Sequence, residues 1–127
     1  MKRILLVEPN PVLASIYTKC FTEAGYEVSH AVSAQGGIDA ADAARPDVVV
    51  LELQLPKHSG VEFLQEFRSY PEWARIPVVI HSLVNPNRLT DLQQALKRDF
   101  GVAAILYKPK TTLDALQLAL RTQLAAA

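Results

Sequence analysis

Four polar side chains stand at or just after aliphatic runs of this chain. Glu8 and Glu52 each continue such a run, Ser82 closes a third run, and Lys108 closes a fourth. Carboxylates bind hard cations, and a hydroxyl beside an ammonium can hold a phosphoryl group. The same four groups can also form no more than a salt bridge at the edge of a sheet. Because they are far apart in sequence, the elements that carry them decide which chemistry is open to them.

Those elements alternate between β and α patterns. Nearly continuous aliphatic runs predict strands at Ile4–Val7, Val48–Leu53, Pro77–Ser82 and Ala103–Lys108, with a more polar edge strand at Tyr26–Val32. Apolar residues at helical spacing predict helices around Leu13–Ala24, Ile38–Ala44, Val61–Phe67, Leu89–Leu96 and Leu113–Leu124. This alternation predicts a parallel sheet covered by helices on both faces. The functional crevice of such a sheet lies outside the carboxyl ends of its strands, where the four polar residues would meet.

Composition narrows the class of protein. A chain of 127 residues with 50% hydrophobic and 20% charged residues is of ordinary globular type and forms one domain. Its 13 basic and 13 acidic residues balance, so we expect no binding to nucleic acid or to anionic membranes. The single Cys20 lies on the apolar side of a predicted helix, which favours a core thiol and a reducing cytoplasm. His30, His58 and His81 lack metal-ligand spacing, and we expect them in loops or at the surface.

The chain resembles the receiver domain of bacterial response regulators. The resemblance runs from Lys2 to Leu124 and rests on KRILLVEPNP, PDVVVLELQLPKHSG, IPVVIHS and the YKP of residues 107–109. It implies an α/β fold with a doubly wound, flavodoxin-like five-stranded parallel sheet of order 2-1-3-4-5, in a single domain over residues 1–127 without an output domain. In that family, an aspartate after the third strand accepts a phosphoryl group from a histidine kinase. Acids after the first strand help to bind magnesium, and a Ser or Thr and a Lys contact the phosphoryl oxygens.

Two departures from the family pattern affect the chemistry. Glu8, Ser82 and Lys108 match, but Glu52 stands at the phosphoacceptor position and Pro9 replaces the acid that touches magnesium. Since magnesium takes one or two protein carboxylates in near-octahedral geometry, we expect its site to be lost and no other cofactor to be bound. The extra methylene of Glu52 displaces the acceptor by about 1 Å, which can cost about a hundredfold in rate. The sequence therefore predicts a pseudo-receiver that is not phosphorylated and is not an enzyme.

Several functions remain open for this cluster. The carboxylate of Glu52 could reach Ser82 and Lys108 and imitate the phosphorylated state, or the domain could be a static scaffold. Alternatively, the chain is a phosphorylatable receiver with weak magnesium dependence, or the acids are solvated and Lys108 only neutralises them. A flavodoxin-like binder of small molecules is a third class, which the EPNP turn disfavours because it lacks the Gly and Ser/Thr that cradle a phosphate.

The output surface of the family is also altered. Ile105 replaces the aromatic switch residue, Leu83 stands where a small residue keeps the site open, and Ala104 replaces an acid that one large subfamily uses to dimerise. We therefore expect a monomer or weak dimer that binds a signalling protein, either a histidine kinase, a phosphotransfer protein or a downstream effector. The exposed faces of Arg88–Phe100 and Thr112–Leu124 are the predicted contact surface.

Overall fold

A computed structural model describes residues 1–85 and 90–126. Its five strands are β1 (Arg3–Val7), β2 (Glu27–Ala31), β3 (Val48–Leu51), β4 (Val78–Ser82) and β5 (Ala104–Tyr107). They are parallel and lie in the order β2-β1-β3-β4-β5, so the predicted fold class and strand order are confirmed. In the described part of the chain, no helix has the length and apolar character needed to cross a membrane.

Each of the four crossovers between strands carries a helix, and a fifth helix follows β5. The helices are α1 (Pro11–Glu23), α2 (Ala34–Ala43), α3 (Gly60–Phe67), α4 (Thr90–Phe100) and α5 (Leu113–Ala126), with single 3-10 turns at Pro71–Trp73 and Lys108–Lys110. Arg88 and Leu89, which we placed in the contact surface and in the fourth helix, lie outside the described residues.

The sheet is buried on both faces, which explains its continuous aliphatic runs. Successive residues of β1 point to opposite faces, so Leu5 and Val7 pack with α2, α3 and α4, whereas Ile4 and Leu6 pack with α1 and α5. All four of these side chains are buried. The polar edge is thereby confined to the ends of the strands.

A helix cap and a closely packed glycine fix two loops at the carboxyl edge of the sheet. The side chain of Asn10 accepts hydrogen bonds from the backbone N–H groups of Val12 and Leu13, and thus begins α1 directly after β1. At the start of α3, a Cβ on Gly60 would lie 2.8 Å from the carbonyl oxygen of Glu52. Only glycine therefore allows α3 to begin so close to the end of β3.

The third strand ends earlier than the sequence predicted. It stops at Leu51 instead of Leu53, although the N–H of Glu52 still donates to the carbonyl of Val7 in β1. The carboxylate of Glu52 accepts the N–H of Gln54, a local turn that competes with further strand pairing. Lys108 likewise lies in the 3-10 turn that follows β5 rather than in the strand.

Candidate functional site

Strand register brings the two acids side by side. Val7 pairs with Leu51, so the next residues, Glu8 and Glu52, leave adjacent strands at the same height and face the same side of the sheet. Ser82 is the last residue of β4 and Lys108 follows the last residue of β5. The four residues selected from the sequence thus lie at one edge.

Lys108 bridges the two carboxylates. Its Nζ lies 2.6 Å from Oε1 of Glu8 and 2.8 Å from Oε1 of Glu52. The side chains of Lys108, Glu8 and Glu52 are only 7%, 3% and 2% exposed, respectively. The arrangement is therefore a buried cluster with one more negative than positive charge, and not a pair of solvated acids neutralised at the surface.

The carboxylate of Glu52 accepts four hydrogen bonds. Oε1 accepts from Nζ of Lys108 and from the N–H of Leu83, and Oε2 accepts from the hydroxyl of Ser82 and from the N–H of Gln54. An ionised carboxylate offers about four lone-pair positions. Each position has a donor from the protein itself, so this side chain is held as an anion in one orientation.

Backbone groups complete the surroundings of the cluster. The hydroxyl oxygen of Ser82 accepts the N–H of Val84 at 3.1 Å, which ties the start of the β4–α4 loop to the cluster. Oε2 of Glu8 accepts the N–H of Asn10 at 3.0 Å. The carbonyl oxygen of Glu8 lies 2.8 Å from Nε2 of His30, which must donate because a carbonyl only accepts.

These contacts keep both partners of the central ion pair charged. Burial raises the pKa of the Glu52 carboxyl, but hydrogen bonds from Lys108, Ser82 and the N–H of Gln54 outweigh burial and hold that pKa below its ordinary value. Burial lowers the pKa of Lys108, and hydrogen bonds to Glu52 and Glu8 outweigh it in the opposite direction, so that pKa is raised.

His81 lies beside this cluster. The prediction that it lies in a loop or at the surface is wrong. Its side chain is buried in β4, next to Glu52 in the register that pairs Leu51 with Ile80. Its ring packs edge-on against that of Tyr17, with 5.2 Å between the ring centroids. Burial and the charge of Lys108 lower the pKa of His81 to about 4, against the attraction of Glu52, so the ring is neutral near pH 7. Its position inside the predicted strand Pro77–Ser82 is the sequence feature that indicates its burial.

The residues present do not fit a magnesium ion. Pro9 has no side-chain oxygen to offer, and Oε1 of both Glu8 and Glu52 already binds the ammonium of Lys108. The remaining carboxylate oxygens accept from Ser82 and from backbone N–H groups. A hard divalent cation needs these same oxygens and would be repelled by the ammonium already among them. Within the described ranges, no group of three or more His, Cys, Asp or Glu side chains is placed to hold a metal.

The other altered positions lie in β5 or directly after β4. Ile105 is half-buried and packs on the core between the sheet and the helices α3 and α4. Ala104 is half-buried on the opposite side, against the core beneath α1 and α5. The side chain of Leu83 is 53% exposed, although its N–H is bound to Glu52. Cys20 is half-buried, and its sulfur accepts from the side-chain amide of Gln117.

Comparison with known sequences gives consistent matches. The family model of the response regulator receiver domain matches residues 4–121. Protein Rrf1 of Nitratidesulfovibrio vulgaris is 35% identical over 78 residues, which cover 61% of this chain and 56% of that protein. The DNA-binding dual master transcriptional regulator RpaA of Synechocystis is 34% identical over 109 residues, or 86% of this chain and 44% of that protein. This chain thus spans about half the length of the curated relatives that it matches.

Solved structures share the fold. The signal receiver domain of a histidine kinase from Syntrophus aciditrophicus superposes with a TM-score of 0.85 at 21% identity, over 100% of this chain and 92% of that one. A receiver domain protein from Methanospirillum hungatei gives a TM-score of 0.86 at 20% identity, over 99% and 95% of the two chains. At such identities the likeness establishes the fold alone.

Proposed function

This chain belongs to the response regulator receiver domains, and from that premise we propose that it is a pseudo-receiver, which signals by binding other proteins without being phosphorylated. Receiver domains are signalling modules that interact with kinases and effectors. In this one, the carboxylate of Glu52 acts as a permanent anion in place of a phosphoryl group. The signalling activity of the domain is then set by the amount that is synthesised and by the partner that it binds, and not by phosphorylation by a kinase.

One observation carries the proposal: the carboxylate of Glu52 is held by Ser82, Leu83, Gln54 and Lys108 together. Ser82 and Lys108 stand at the positions that contact phosphoryl oxygens in the family. Here both donate hydrogen bonds to the carboxylate of Glu52 instead. A carboxylate supplies one negative charge where a phosphorylated side chain supplies about two, so the imitation is incomplete. The contacts nevertheless favour a locked active-like loop over an unconstrained scaffold.

The same contacts oppose phosphorylation. An acceptor oxygen needs a free lone pair directed at phosphorus, and catalysis of the transfer depends on positioning and on a metal that neutralises charge. All four lone-pair positions of Glu52 face protein donors, and Pro9 leaves the magnesium ligands incomplete. We therefore assign no catalytic activity and no cofactor to the domain.

We further propose a single receiver unit over residues 1–127 that is monomeric or weakly dimeric. Ala104 cannot supply the acid of the subfamily dimer interface, which supports this oligomeric state. Its partners are signalling proteins, and neither nucleic acid nor membrane is part of its function.

Intact-mass spectrometry tests the proposal. The protein is incubated with a small phosphodonor and magnesium, and its mass should remain unchanged, as should that of the variant Glu52→Gln. The rival function is a phosphorylatable receiver with weak magnesium dependence. A stoichiometric gain of one phosphoryl group that disappears in Glu52→Gln would establish that rival and refute the pseudo-receiver.

A further inference from the structure

The outer edge of β2 carries backbone groups that point away from the sheet. β2 is the first strand in the order β2-β1-β3-β4-β5, so β1 is its only neighbour within the chain. The N–H of Glu27 and the carbonyl of Ala31 bond to residues of, or next to, β1. Because backbone groups along a strand point alternately to its two sides, those of Val28 and His30 face the open edge. This edge therefore offers two N–H groups and two carbonyls to a further strand.

The edge lacks the usual protections against the addition of a strand. Natural proteins block an edge strand with lysine, proline or a bulge, or they cover it. The sequence of β2, EVSHA, contains neither lysine nor proline, and its one-to-one register with β1 leaves no bulge. The side chain of His30 is exposed and that of Val28 is half-buried. Another extended chain can therefore reach the backbone of β2.

Open recesses border β2 and leave room for that chain. One recess lies between α1 and β2, and its lining includes the small side chains of Ala14, Thr18 and Thr22 together with His30. Another lies at the start of the strand, where residues 25–29 form part of its lining. Since neighbouring strands lie about 4.8 Å apart, a further strand needs this space beside β2.

The charges around the edge balance. The lysine, arginine and acidic side chains that line these two recesses are Arg3, Lys19, Glu23 and Glu27. Arg3 and Glu27 form an ion pair within the chain. The formal net charge of the whole chain is zero. A second copy of the chain can therefore approach this edge without net electrostatic repulsion, whereas a strongly acidic or basic partner gains no special attraction.

The outward backbone groups define a twofold register with a second copy. In an antiparallel ladder, two facing residues exchange both of their hydrogen bonds if their backbone groups point towards each other. When Val28 of one copy faces His30 of the other, symmetry also makes His30 face Val28, and all of the outward groups are paired. The axis then passes between the two Ser29 residues, which face each other without a hydrogen bond. A second β2 thus matches the edge residue by residue.

The side chains fit the same register. Val28 packs on the core beneath α1 and α5, and on this face of the sheet it would oppose His30 of the second copy. A pair of a β-branched and an aromatic side chain stabilises neighbouring strands. On the other face, Glu27 would oppose Ala31, and Ser29 would oppose its own copy. No two like charges face each other, so the pairing carries no repulsive contact within the strands.

The register also gives an exposed aliphatic side chain a partner. Val32 directly follows β2 and is 51% exposed. Two residues further along the register it lies opposite Tyr26 of the second copy, whose side chain is half-buried on the core beneath α1 and α5. The contact would remove apolar surface of Val32 from water, which favours association.

We propose that this chain pairs with a second copy of itself through antiparallel β2 strands, which joins the two sheets into one of ten strands. Each copy contributes a strand of five residues, so the contact is small and the dimer is weak. The inference rests on the oligomeric state proposed above, because it names the surface through which the weak dimer forms.

Amide hydrogen exchange, followed by NMR at about 0.05 mM and at about 1 mM protein, tests the pairing. The amides of Val28 and His30 face solvent in the monomer, whereas that of Ser29 points to β1. The higher concentration should slow exchange at Val28 and His30 at least about threefold, because the dimer binds both amides. In a mixture of labelled and unlabelled chains, an NOE should connect the Hα atoms of the two Ser29 residues, whose Cα atoms lie about 4.5 Å apart in such a pair.

Proline at an outward-facing position removes a donor to the second copy without removing one to β1. Val28→Pro should therefore abolish the slowing at His30 and the NOE, and His30→Pro should do the same at Val28. Val28→Thr keeps both the donor and the branched shape and should pair as the parent does. Leu106→Pro is the matched control at the opposite edge of the sheet. Leu106 is half-buried on the same core as Val28, and its N–H points away from β4, so this variant should also pair normally.

Several results would overturn the pairing. They are unchanged exchange up to about 1 mM protein, a dimer that persists in Val28→Pro, or a dimer that is lost in Leu106→Pro. An unrelated extended peptide of alternating valine and threonine that protects Val28 and His30, while the chain alone does not, would assign the edge to a different protein and refute self-pairing.

The intact mass of the same sample, after treatment with a small phosphodonor and magnesium, keeps the two proposals apart. Unchanged exchange in a chain that stays unphosphorylated refutes the edge pairing alone. Slowed exchange in a chain that gains a phosphoryl group on Glu52 refutes the pseudo-receiver alone.

Discussion

Lys108 and Glu52 are 56 residues apart in sequence, and their charged atoms lie 2.8 Å apart at the edge of the sheet. The pair is buried, with Glu8 as a second carboxylate on the same ammonium. Taking these charges out of water is costly, and the cost is offset only while every partner is present. The cluster is therefore a strong constraint on the β4–α4 loop and a sensitive point for stability.

Removal of the ammonium should destabilise the fold. We expect Lys108→Met to lower the free energy of unfolding by about 3–5 kcal/mol, because it leaves two buried carboxylates without a counter-charge. Urea denaturation at neutral pH measures the loss. Adding Glu8→Gln and Glu52→Gln to Lys108→Met should recover part of it, since no uncompensated charge then remains. A loss below about 1 kcal/mol, the range of surface pairs, would mean that the cluster is solvated.

His81 should make stability depend on pH. Its pKa in the folded protein is about 4, below the ordinary 6.5, so the unfolded chain binds a proton between these values that the folded chain does not. The contribution of the neutral ring is fully present above about pH 6.5 and is lost as the pH falls towards 4. At most about 3 kcal/mol is involved. Urea midpoints at several pH values should show this decline, and His81→Leu should remove it.

The contribution of Glu52 to stability changes over a lower range of pH than that of His81. Its folded pKa is held below the ordinary 4.5, so its stabilising effect is present above that value and is lost as the pH falls further, through the folded pKa. The His81→Leu variant should therefore keep its loss of stability below about pH 4.5.

For the His81 prediction, a parent protein whose urea midpoint is flat from pH 7 to 5 would contradict the burial of a neutral His81.

The aliphatic runs made the fold predictable from the sequence. Runs such as Val48–Leu51 are buried on both faces, as the strands of a covered parallel sheet are, and strand order followed from the resemblance to the family. Glu8, Glu52, Ser82 and Lys108 could be selected because each stands at a strand end. The bond from the N–H of Leu83 could not be found, since a backbone donor has no signature in the sequence.

His81 was misplaced for a different reason. The lack of metal-ligand spacing says nothing about burial, whereas a position within β4 does, because both faces of the sheet are covered and every residue of that strand is buried. Strand boundaries also shifted by one or two residues, because side-chain contacts such as that of Glu52 with the N–H of Gln54 end a strand locally, whereas α2 begins four residues before Ile38 and α4 ends four residues after Leu96. Such contacts depend on tertiary geometry that the pattern of residue types does not contain.

Lys57 is a site at which the chain can be stabilised. Its φ of 67° lies in the left-handed region, which costs a residue with a long side chain about 1 kcal/mol. Asparagine tolerates this conformation better, so Lys57→Asn should raise the free energy of unfolding by about 0.5–1 kcal/mol. Lys110 is also exposed but is not among the described residues with positive φ, so Lys110→Asn is the control and should bring no gain. Equal effects of both substitutions in urea denaturation would attribute any gain to charge instead of strain.

Receiver chemistry should return when both altered positions are restored. Pro9→Asp supplies the missing carboxylate, and Glu52→Asp shortens the acceptor so that it no longer reaches all of the donors that now saturate it. Three carboxylates beside Ser82 and Lys108 should then bind magnesium, which calorimetric titration detects. A small phosphodonor should add one phosphoryl group to the intact mass, because Ser82 and Lys108 remain able to neutralise it.

The single variants separate the two effects in this last experiment. Pro9→Asp alone should restore magnesium binding more than phosphorylation, because the carboxylate of Glu52 stays one methylene too long and keeps its donors. Pro9→Asn with Glu52→Asn is the matched control, which has the same shape without the added charge and should show neither activity. Because Leu83 stands where a small residue keeps the site open, labelling should be slow, and the readout is detectable labelling and not a normal rate. A folded Pro9→Asp, Glu52→Asp variant that binds no magnesium and gains no phosphoryl group would refute the assignment of Glu8, Ser82 and Lys108 as remnants of a receiver site.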